Sequence, residues 1–217
     1  MYFEYNEKKP DNFTEDWDGQ YQIIPWMAYI ASIPHVIYLV TTFKEDGTPN
    51  AALEGWSSFT GEGDNYFVII SGLLKSSHTY QNIKRDRIFC VNFLSSKYID
   101  QIKKTISENE IETDEIRNSG FTLEKAETMM IPRIKESFLK LECQFEWEKE
   151  LIPGSTNITV CGRVIHISVE KEFARSNVST RFNDSFMFHL MAMKDPITGK
   201  RIRGGIGKID LIEEMDL

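Results

Sequence analysis

The sequence predicts a mainly β protein of the α+β class, built as an antiparallel β-barrel with helical insertions. At least six segments have the length and the β-branched or aromatic composition of strands. Helical segments are few, and they fall between strands, a pattern that disfavours a doubly wound parallel sheet. The chain also contains neither GxGxxG nor GxxxxGK, the phosphate-binding loops of many parallel sheets.

The first predicted hairpin spans residues 35–59. Residues 35–43, HVIYLVTTF, form its first strand, and residues 51–59, AALEGWSSF, form the return strand. Between them, Asp46-Gly47 supplies the positive φ that tight turns favour. Gly55, in the middle of the return strand, indicates a bulge or a close approach of another group to the backbone.

Two further strands with a short helix between them are predicted from residue 66 to residue 94. The apolar run YFVIISG at 66–72 is a buried strand, SSHTYQNIKRD at 76–86 is the helix, and RIFCVNFL at 87–94 is the second strand. Isoleucines then recur at helical spacing over 97–109.

The second half of the predicted barrel holds the longest strands. Residues 107–136 are charged and mixed, and we expect a loop with short helices there. Residues 137–151 and 158–170 alternate apolar and polar side chains around a turn at 151–157, so they are expected to pair with each other.

Two flanking segments differ in character from the predicted barrel domain at 34–170. Residues 1–33 are aromatic and irregular, and we expect an arm that packs on the body or on a partner subunit. Residues 171–217 hold the aromatic patch FMFHLMAM and a glycine-rich end, and we expect an extension that packs on the barrel or on the dimer partner.

Composition and charge limit the classes of partner. The 217 residues are 41% apolar and 27% charged, which fits one globular domain with appendages. A net charge of −8 disfavours nucleic acid and anionic membranes. The chain has no run of about 20 apolar residues and no signal-peptide pattern at its start, so we expect a cytoplasmic protein.

The three cysteines, Cys90, Cys143 and Cys161, are far apart, and each lies in an apolar strand. An odd and scattered set argues against a disulfide framework, and no spacing suggests a metal site. We interpret them as buried structural thiols.

The junction at 71–83, SGLLKSSHTYQNI, is rich in groups that hold a phosphate. The start of a helix presents free N–H groups and a positive dipole, and Ser76, Ser77 and Thr79 can donate to phosphate oxygens there. Lys75 adds a full charge at the same point. The alternative is an ordinary serine cap on a short helix, although no glutamate or glutamine completes a capping box.

A polar set surrounds Trp56 just before this junction. Asn50, Ser57 and Ser58 lie on the same strand pair, whose bulge would free backbone groups for bonding. Such a set can grip a planar aromatic ligand, with the indole covering a face or an edge. The alternative is that Trp56 belongs to the core.

Five segments, in order, resemble the flavin reductase-like FMN-binding family of split β-barrels, which includes flavoredoxin and the small-component flavin reductases. The resemblance covers roughly residues 34–170. The segments are PHVIYLVTTFKEDGTPNAALEGW, SGLLKSSHTYQNIKRDRIFCVNF, NSGFTLEKAE, IPRIKESFLKLECQFEWEKEL and ITVCGRVIHISVE.

This resemblance implies a six-stranded antiparallel split barrel, a homodimer, and FMN bound near the subunit interface. It places Lys125 within reach of the flavin, from its own or from the facing subunit, where a cation would favour the reduced ring. Ala126 replaces the family's aromatic residue after that lysine, and Asn157 stands where many members carry a histidine. The expected cofactor-binding set is Asn50, Trp56, Ser57, Ser58, Ser71, Lys75, Ser76, Ser77, Thr79, Lys125 and Asn157.

Three functions follow as alternatives. The first is an FMN-dependent oxidoreductase that takes hydride from NAD(P)H and passes electrons to flavin or another acceptor. In this class the flavin carries the redox chemistry, so no catalytic acid or nucleophile is expected in the sequence. The second is a flavoredoxin-type electron carrier whose FMN is reduced by a redox protein partner. The third is a split barrel that binds ligands without redox chemistry.

Overall fold

The computed structural model describes residues 1–107, 113–182, 184–210 and 212. It confirms the predicted class, a mainly antiparallel β protein with helical insertions. The predicted helix at 97–109 is present to residue 107, and its last two residues lie outside the described part.

The strands are β1 (His35–Phe43), β2 (Pro49–Glu54), β3 (Ser57–Glu62), β4 (Asn65–Leu74), β5 (Ile88–Phe93), β6 (Leu123–Lys125), β7 (Pro132–Ile134), β8 (Leu139–Lys149), β9 (Asn157–Val169), β10 (Met187–Leu190), β11 (Met193–Lys194), β12 (Arg201–Ile202) and β13 (Gly205–Lys208). The helices are α1 (Gln20–Ile23), α2 (Ala28–Ala31), α3 (His78–Asp86), α4 (Ile99–Ser107), α5 (Glu115–Asn118), α6 (Lys171–Arg175), α7 (Val178–Arg181) and a 3₁₀ turn (Ser96–Tyr98).

The barrel is a ring of antiparallel ladders in the order β2-β1-β5-β8-β9-β4-β3. Only Gly55 and Trp56 separate β2 from β3, so one bent stretch of chain supplies both edges of the ring. Counting that stretch once gives six strands. No ladder joins β2 to β3 among the described residues, and the barrel is split there. The predicted return strand at 51–59 is therefore interrupted at Gly55, where the sequence indicated a bulge.

Apolar side chains fill the inside of the ring, and α3 closes one of its ends. Tyr80 and Ile83 of α3 pack into this interior cluster. The predicted buried thiols are confirmed, since Cys90, Cys143 and Cys161 are all buried and free. The strand residues that share the interior include Tyr38, Val40, Val68, Ile70, Phe89, Val91, Phe93, Leu141, Phe145 and Val160.

A second apolar cluster covers the outer face of β1. Ile37 and Leu39 point outward, because side chains alternate along a strand. They pack against Ile102 of α4, Ile116 of α5 and Phe121. The helical insertion between β5 and β8 thus lies on the outside of the barrel.

The two flanking segments contact each other and the barrel. In the C-terminal extension, β10 pairs with β1, and β13 pairs with β10. In the N-terminal arm, Thr14 O accepts a 2.6 Å hydrogen bond from Lys194 Nζ, and Ser32 Oγ donates to Met191 O at 2.8 Å. Over the described residues, no helix is long and apolar enough to cross a membrane.

A buried ion pair fixes the β6–β7 hairpin to β8. Arg133 Nη1 donates to Glu142 Oε1 at 3.0 Å, and both side chains are almost fully buried. Glu142 also accepts the backbone N–H groups of Glu127 and Thr128 at 2.8 and 3.0 Å. Burial of a charge is tolerated only when hydrogen bonds replace its water shell, and this carboxylate meets that condition.

We expect Glu142→Ala to lower the free energy of unfolding by about 3 kcal/mol, because it removes the fully buried partner of the Arg133 guanidinium and leaves the more exposed Glu124 and Glu127. Glu146→Ala is the matched control, since Glu146 lies on the same strand in an exposed pair with Arg163, and its loss should cost less than about 1 kcal/mol. Urea unfolding measures both variants. Equal losses would contradict the structural role given to the buried pair.

Candidate functional site

At the split in the barrel, the indole of Trp56 packs directly against Gly72. Gly72 has φ +78, and a Cβ at that position would lie 2.6 Å from the indole Cε3. The ladder between β4 and β9 shifts register between Ile70 and Leu73, at the same level. Ser71 N–H donates to Trp56 O at 2.7 Å. The bulge in β4 and the break between β2 and β3 therefore form one feature.

A cavity of about 440 Å³ opens beside this tryptophan. The barrel contributes Trp56, Ser71 and Gly72 from the split, together with Asn157 and Thr159 from the start of β9. The remaining wall comes from the flanks and from the β8–β9 turn, and most of its side chains are apolar. That wall includes Tyr21, Ile23, Pro25, Ala28, Ala31, Ile33, Leu151, Ile152 and Met191.

Asn157 places an unused acceptor in this apolar cavity. Its Nδ2 donates to Ile23 O at 2.9 Å, whereas its buried Oδ1 has no hydrogen-bond partner among the described residues. Nearby, Thr159 Oγ1 donates to Ser71 Oγ at 3.2 Å. Buried polar groups are nearly always paired. An apolar cavity with a few convergent polar groups and an open acceptor fits a planar heterocycle that carries N–H groups, such as a flavin ring.

The start of α3 adjoins the same edge of the barrel. Lys75 N–H donates to Thr156 O at 3.0 Å, and Leu74 pairs with Asn157. Ser76 is exposed at this point. The Nδ1 atom of His78, in the first turn, is buried and has no partner in the described structure. The N-terminus of α3, Lys75 and the exposed Ser76 thus lie next to the cavity, an arrangement that suits a phosphate.

Two side chains of the junction already have partners. Ser77 is the N-cap of α3: its Oγ accepts from Tyr80 N–H at 3.3 Å and donates to Leu74 O at 2.8 Å. The capping alternative is therefore what the structure shows for Ser77. Lys75 Nζ forms an ion pair with Glu150 at the end of the β8–β9 hairpin, and both are about one-third exposed. That pair lowers the pKa of Glu150.

Asn50 and Thr79 lie together in a buried polar cluster where α3 enters the barrel. Asn50 Nδ2 donates to Thr79 Oγ1 at 3.1 Å and to Thr42 Oγ1 at 3.2 Å. Asn82 Nδ2 also donates to Thr42 Oγ1, at 3.0 Å. These bonds position α3, and through it the junction. The role of Asn50 and Thr79 as ligands stays a prediction.

The other predicted residues lie apart from the cavity lining. Ser57, on β3, pairs with the buried Ile70 of β4, and Ser58 is exposed. Lys125 is exposed on the β6–β7 hairpin and does not line the cavity. That hairpin packs on β1 and β5, where Thr41 Oγ1 donates to Pro132 O at 2.6 Å.

Two titratable groups flank Trp56. Burial raises the pKa of Glu54 to about 8, and its register partner Tyr38 lies in the barrel core. Burial lowers the pKa of His35, which favours a neutral ring. The His35 imidazole lies edge-on to the indole, with ring centroids 6.2 Å apart and an interplanar angle of 67°.

Comparison with known proteins decides the family. The model of the flavin reductase like domain matches residues 30–186. The chain belongs to the flavin reductase-like family. No curated protein sequence matches the chain.

Solved structures share the fold of this flavin reductase-like chain at low sequence identity. Nitrilotriacetate monooxygenase component B from Bacillus cereus gives a TM-score of 0.72 at 16% identity, with 98% of this chain and 100% of that chain covered. Flavoredoxin of Desulfovibrio vulgaris (Miyazaki F) gives 0.65 at 16% identity, with 84% and 90% covered. An FMN-binding protein from Thermus thermophilus, solved with p-hydroxybenzaldehyde, gives 0.66 at 14% identity, with 95% of each chain covered.

Sequence reasoning missed three groups at the site of this flavin reductase-like chain. Gly72 lies inside an apolar strand run, and a glycine there is a signal for a bulge. Glu150 pairs with Lys75 across 75 positions, so no local pattern reveals it. The cavity wall at 21–33 belongs to an arm whose apolar residues lack a regular period.

We expect Gly72→Ala to displace the indole of Trp56, because both the positive φ and the 2.6 Å approach oppose a side chain there. Gly154→Ala is the matched control: Gly154 has the same φ of +78 but open space around it. The control should show only the backbone cost of about 1–2 kcal/mol. Gly72→Ala should lose about 1–3 kcal/mol more from overpacking and should change the near-UV circular dichroism.

If the indole of Trp56 causes the extra loss in Gly72→Ala, a double variant should show it. In a Trp56→Ala background, the extra loss at position 72 should disappear. If the extra loss persists without the indole, the contact between Trp56 and Gly72 does not cause it.

Glu54 should make the protein less stable as pH rises. Its folded pKa of about 8 exceeds the unfolded value of about 4.3, so the folded state binds the proton more tightly. The associated stability is complete below about pH 4.3 and is lost as pH rises towards 8. Glu54→Gln should therefore match the wild type near pH 4 and exceed it near pH 9 in urea unfolding, whereas Glu62→Gln at an exposed site should follow the wild type throughout. A difference that does not vary with pH would contradict this assignment.

Proposed function

We propose that this flavin reductase-like protein is an FMN-dependent oxidoreductase that takes hydride from NAD(P)H and passes electrons to free flavin or another acceptor. The observation that carries the proposal is the cavity beside Trp56, which combines an apolar wall, the open acceptor Asn157 Oδ1 and an adjoining helix N-terminus with Lys75. When bound, FMN supplies the hydride and electron transfer chemistry.

The residues of the chain bind and orient the cofactor. Trp56 offers an aromatic surface, and Asn157 and Ser71 offer hydrogen bonds at the cavity wall. Lys75, Ser76 and the first N–H groups of α3 suit the phosphate. The N-terminal arm covers the opposite side and excludes water, which strengthens every polar contact inside.

We also propose that the active form is a homodimer. Ile33, Leu151 and Ile152 are exposed at the rim of the cavity, and such an apolar rim is typical of an interaction surface. In the dimer, Lys125 would reach the flavin from the facing subunit. Light scattering should give twice the chain mass for the wild type and a monomer for Leu151→Lys, whereas Ile202→Lys, at an exposed position away from the rim, should remain dimeric. An unchanged mass for Leu151→Lys would contradict this surface.

The visible spectrum tests the function directly. The purified protein should retain FMN through desalting, and NADH or NADPH should bleach the flavin band within seconds. Bleaching only by a reduced ferredoxin or a similar protein would replace the reductase by an electron carrier of the flavoredoxin type. A protein that retains no FMN would overturn both.

We expect Lys75→Glu and Glu150→Gln to change FMN affinity in opposite directions. Lys75→Glu places an anion beside the phosphate and should weaken binding about tenfold or more. Glu150→Gln releases Lys75 from its ion pair and should strengthen binding a few-fold. Lys171→Glu, which makes the same charge change on the exposed α6, is the control and should leave the affinity unchanged. Fluorescence quenching of titrated FMN measures all three. Parallel changes at positions 75 and 150 would contradict the phosphate site.

A further inference from the structure

A second large cavity, of about 600 Å³, lies at the other end of β9. Ser168 lines it, whereas Asn157 lines the Trp56 cavity, and eleven positions of strand separate them by at most roughly 36 Å. The two cavities share no lining residue. Segments 95–98, 135–140, 168–181 and 184–185 contribute its lining, and we call it the distal cavity.

Four buried polar atoms in the wall of the distal cavity have no partner. They are Ser95 Oγ, Ser137 Oγ, Ser185 Oγ and Arg181 Nε, and no hydrogen bond from any described residue reaches them. The three serines are only 8%, 8% and 3% exposed. Ordinary proteins leave few such groups unpaired, so four around one cavity indicate that something outside the chain bonds them.

The chemistry of these atoms selects the class of ligand. Arg181 Nε can only donate, and a serine hydroxyl donates as readily as it accepts. One Arg181 nitrogen, Nη2, donates to Ser176 O at 3.0 Å, and no carboxylate of the described residues pairs with the guanidinium. A ligand that carries several acceptor oxygens and negative charge can satisfy all four atoms, because each of them can donate.

Acidic residues also line the distal cavity, but two of them have partners of their own. Asp184 accepts the hydroxyl of Ser96, and Glu136 accepts the backbone N–H of Thr122 at 3.1 Å. Glu170 and Glu172 are exposed.

Two lysines add positive charge to the distal cavity. Lys97 and Lys135 line it and are exposed. Lys140 also lines it, but its ammonium is held by Glu124 at 2.6 Å. Lys97, Lys135 and Arg181 therefore have no carboxylate partner among the described residues, and the carboxylates of the lining keep their own charge beside them.

We propose that the distal cavity binds a small oxyanion, a phosphate or carboxylate group, through Arg181 and the hydroxyls of Ser95, Ser137 and Ser185. The site is separate from the flavin cavity and does not depend on the proposed oxidoreductase function. Binding neutralises the guanidinium and supplies acceptors to hydroxyls that otherwise have none.

The serine hydroxyls allow a test that separates binding from folding. Replacing an unpaired buried hydroxyl by hydrogen removes a desolvated polar group, so Ser137→Ala and Ser185→Ala should keep or raise the melting temperature in a buffer without oxyanions. The same variants should lose the stabilisation that a bound anion gives, because only the folded state holds the site.

The experiment is a melting series of the full chain in inorganic phosphate and, separately, in citrate, at ionic strength held constant with sodium chloride. The wild-type melting temperature should rise with the logarithm of the concentration of at least one of the two anions, and the stronger one identifies the source as phosphate or carboxylate. The rise should be lost in Arg181→Met and at least halved in the serine variants. It should be intact in Arg203→Met, a control in another exposed basic region.

Two results would overturn the proposal. Equal rises in every variant would mean an adventitious ion only, bound elsewhere on the surface. No rise in the wild type with either anion would mean that the distal cavity holds water.

Discussion

The contact of the Trp56 indole with Gly72 is the constraint on which the site depends. A six-stranded ring would normally be continuous, but here β2 and β3 part at Gly55-Trp56 and β4 shifts register against β9 at Ser71-Gly72. Only a residue without Cβ leaves room for the indole at 2.6 Å from the Cβ position. Gly55 and Trp56 link β2 to β3 covalently, so the two strands stay connected although no ladder joins them. The cavity lies at this gap in the barrel wall.

Most of the barrel could be predicted from sequence because its strands carry their signal locally. The predicted span 35–43 coincides with β1, and the long alternating segments gave β8 and β9 within two residues. The helix predicted to start at residue 76 starts at His78 instead, because Ser77 is the N-cap and its side chain accepts a hydrogen bond from the first turn. Strands β10 and β13 were missed, since both are short: β10 depends on pairing with β1 from about 150 residues away, and β13 depends in turn on pairing with β10.

At the candidate site, sequence could indicate residue types but not which side chains bond to each other. A serine-rich turn before a helix indicates a phosphate site from residue types alone, and Trp56, Ser71 and Asn157 do line one cavity. Sequence cannot show that Glu150 reaches Lys75 or that Asn50 bonds Thr79 inside the barrel, because these pairs form only when distant strands meet. The predicted ligand set stays a prediction, because which of its polar side chains face a ligand depends on tertiary contacts.

The cavity beside Trp56 depends on both ends of the chain as well as on the barrel. Asn157 Nδ2 holds the arm through Ile23 O, and the arm is held in turn by Lys194, which is 2% exposed and donates to Thr14 O. The Lys194 ammonium also lies 5.7 Å from the Tyr21 ring centroid and 5.9 Å from that of Tyr29. Since Tyr21 and Ile23 line the same cavity as Trp56, a lysine of the C-terminal extension that is not part of the lining helps to hold the cavity wall in place. The barrel provides the strands and the split, and the flanks provide most of the apolar lining of the cavity.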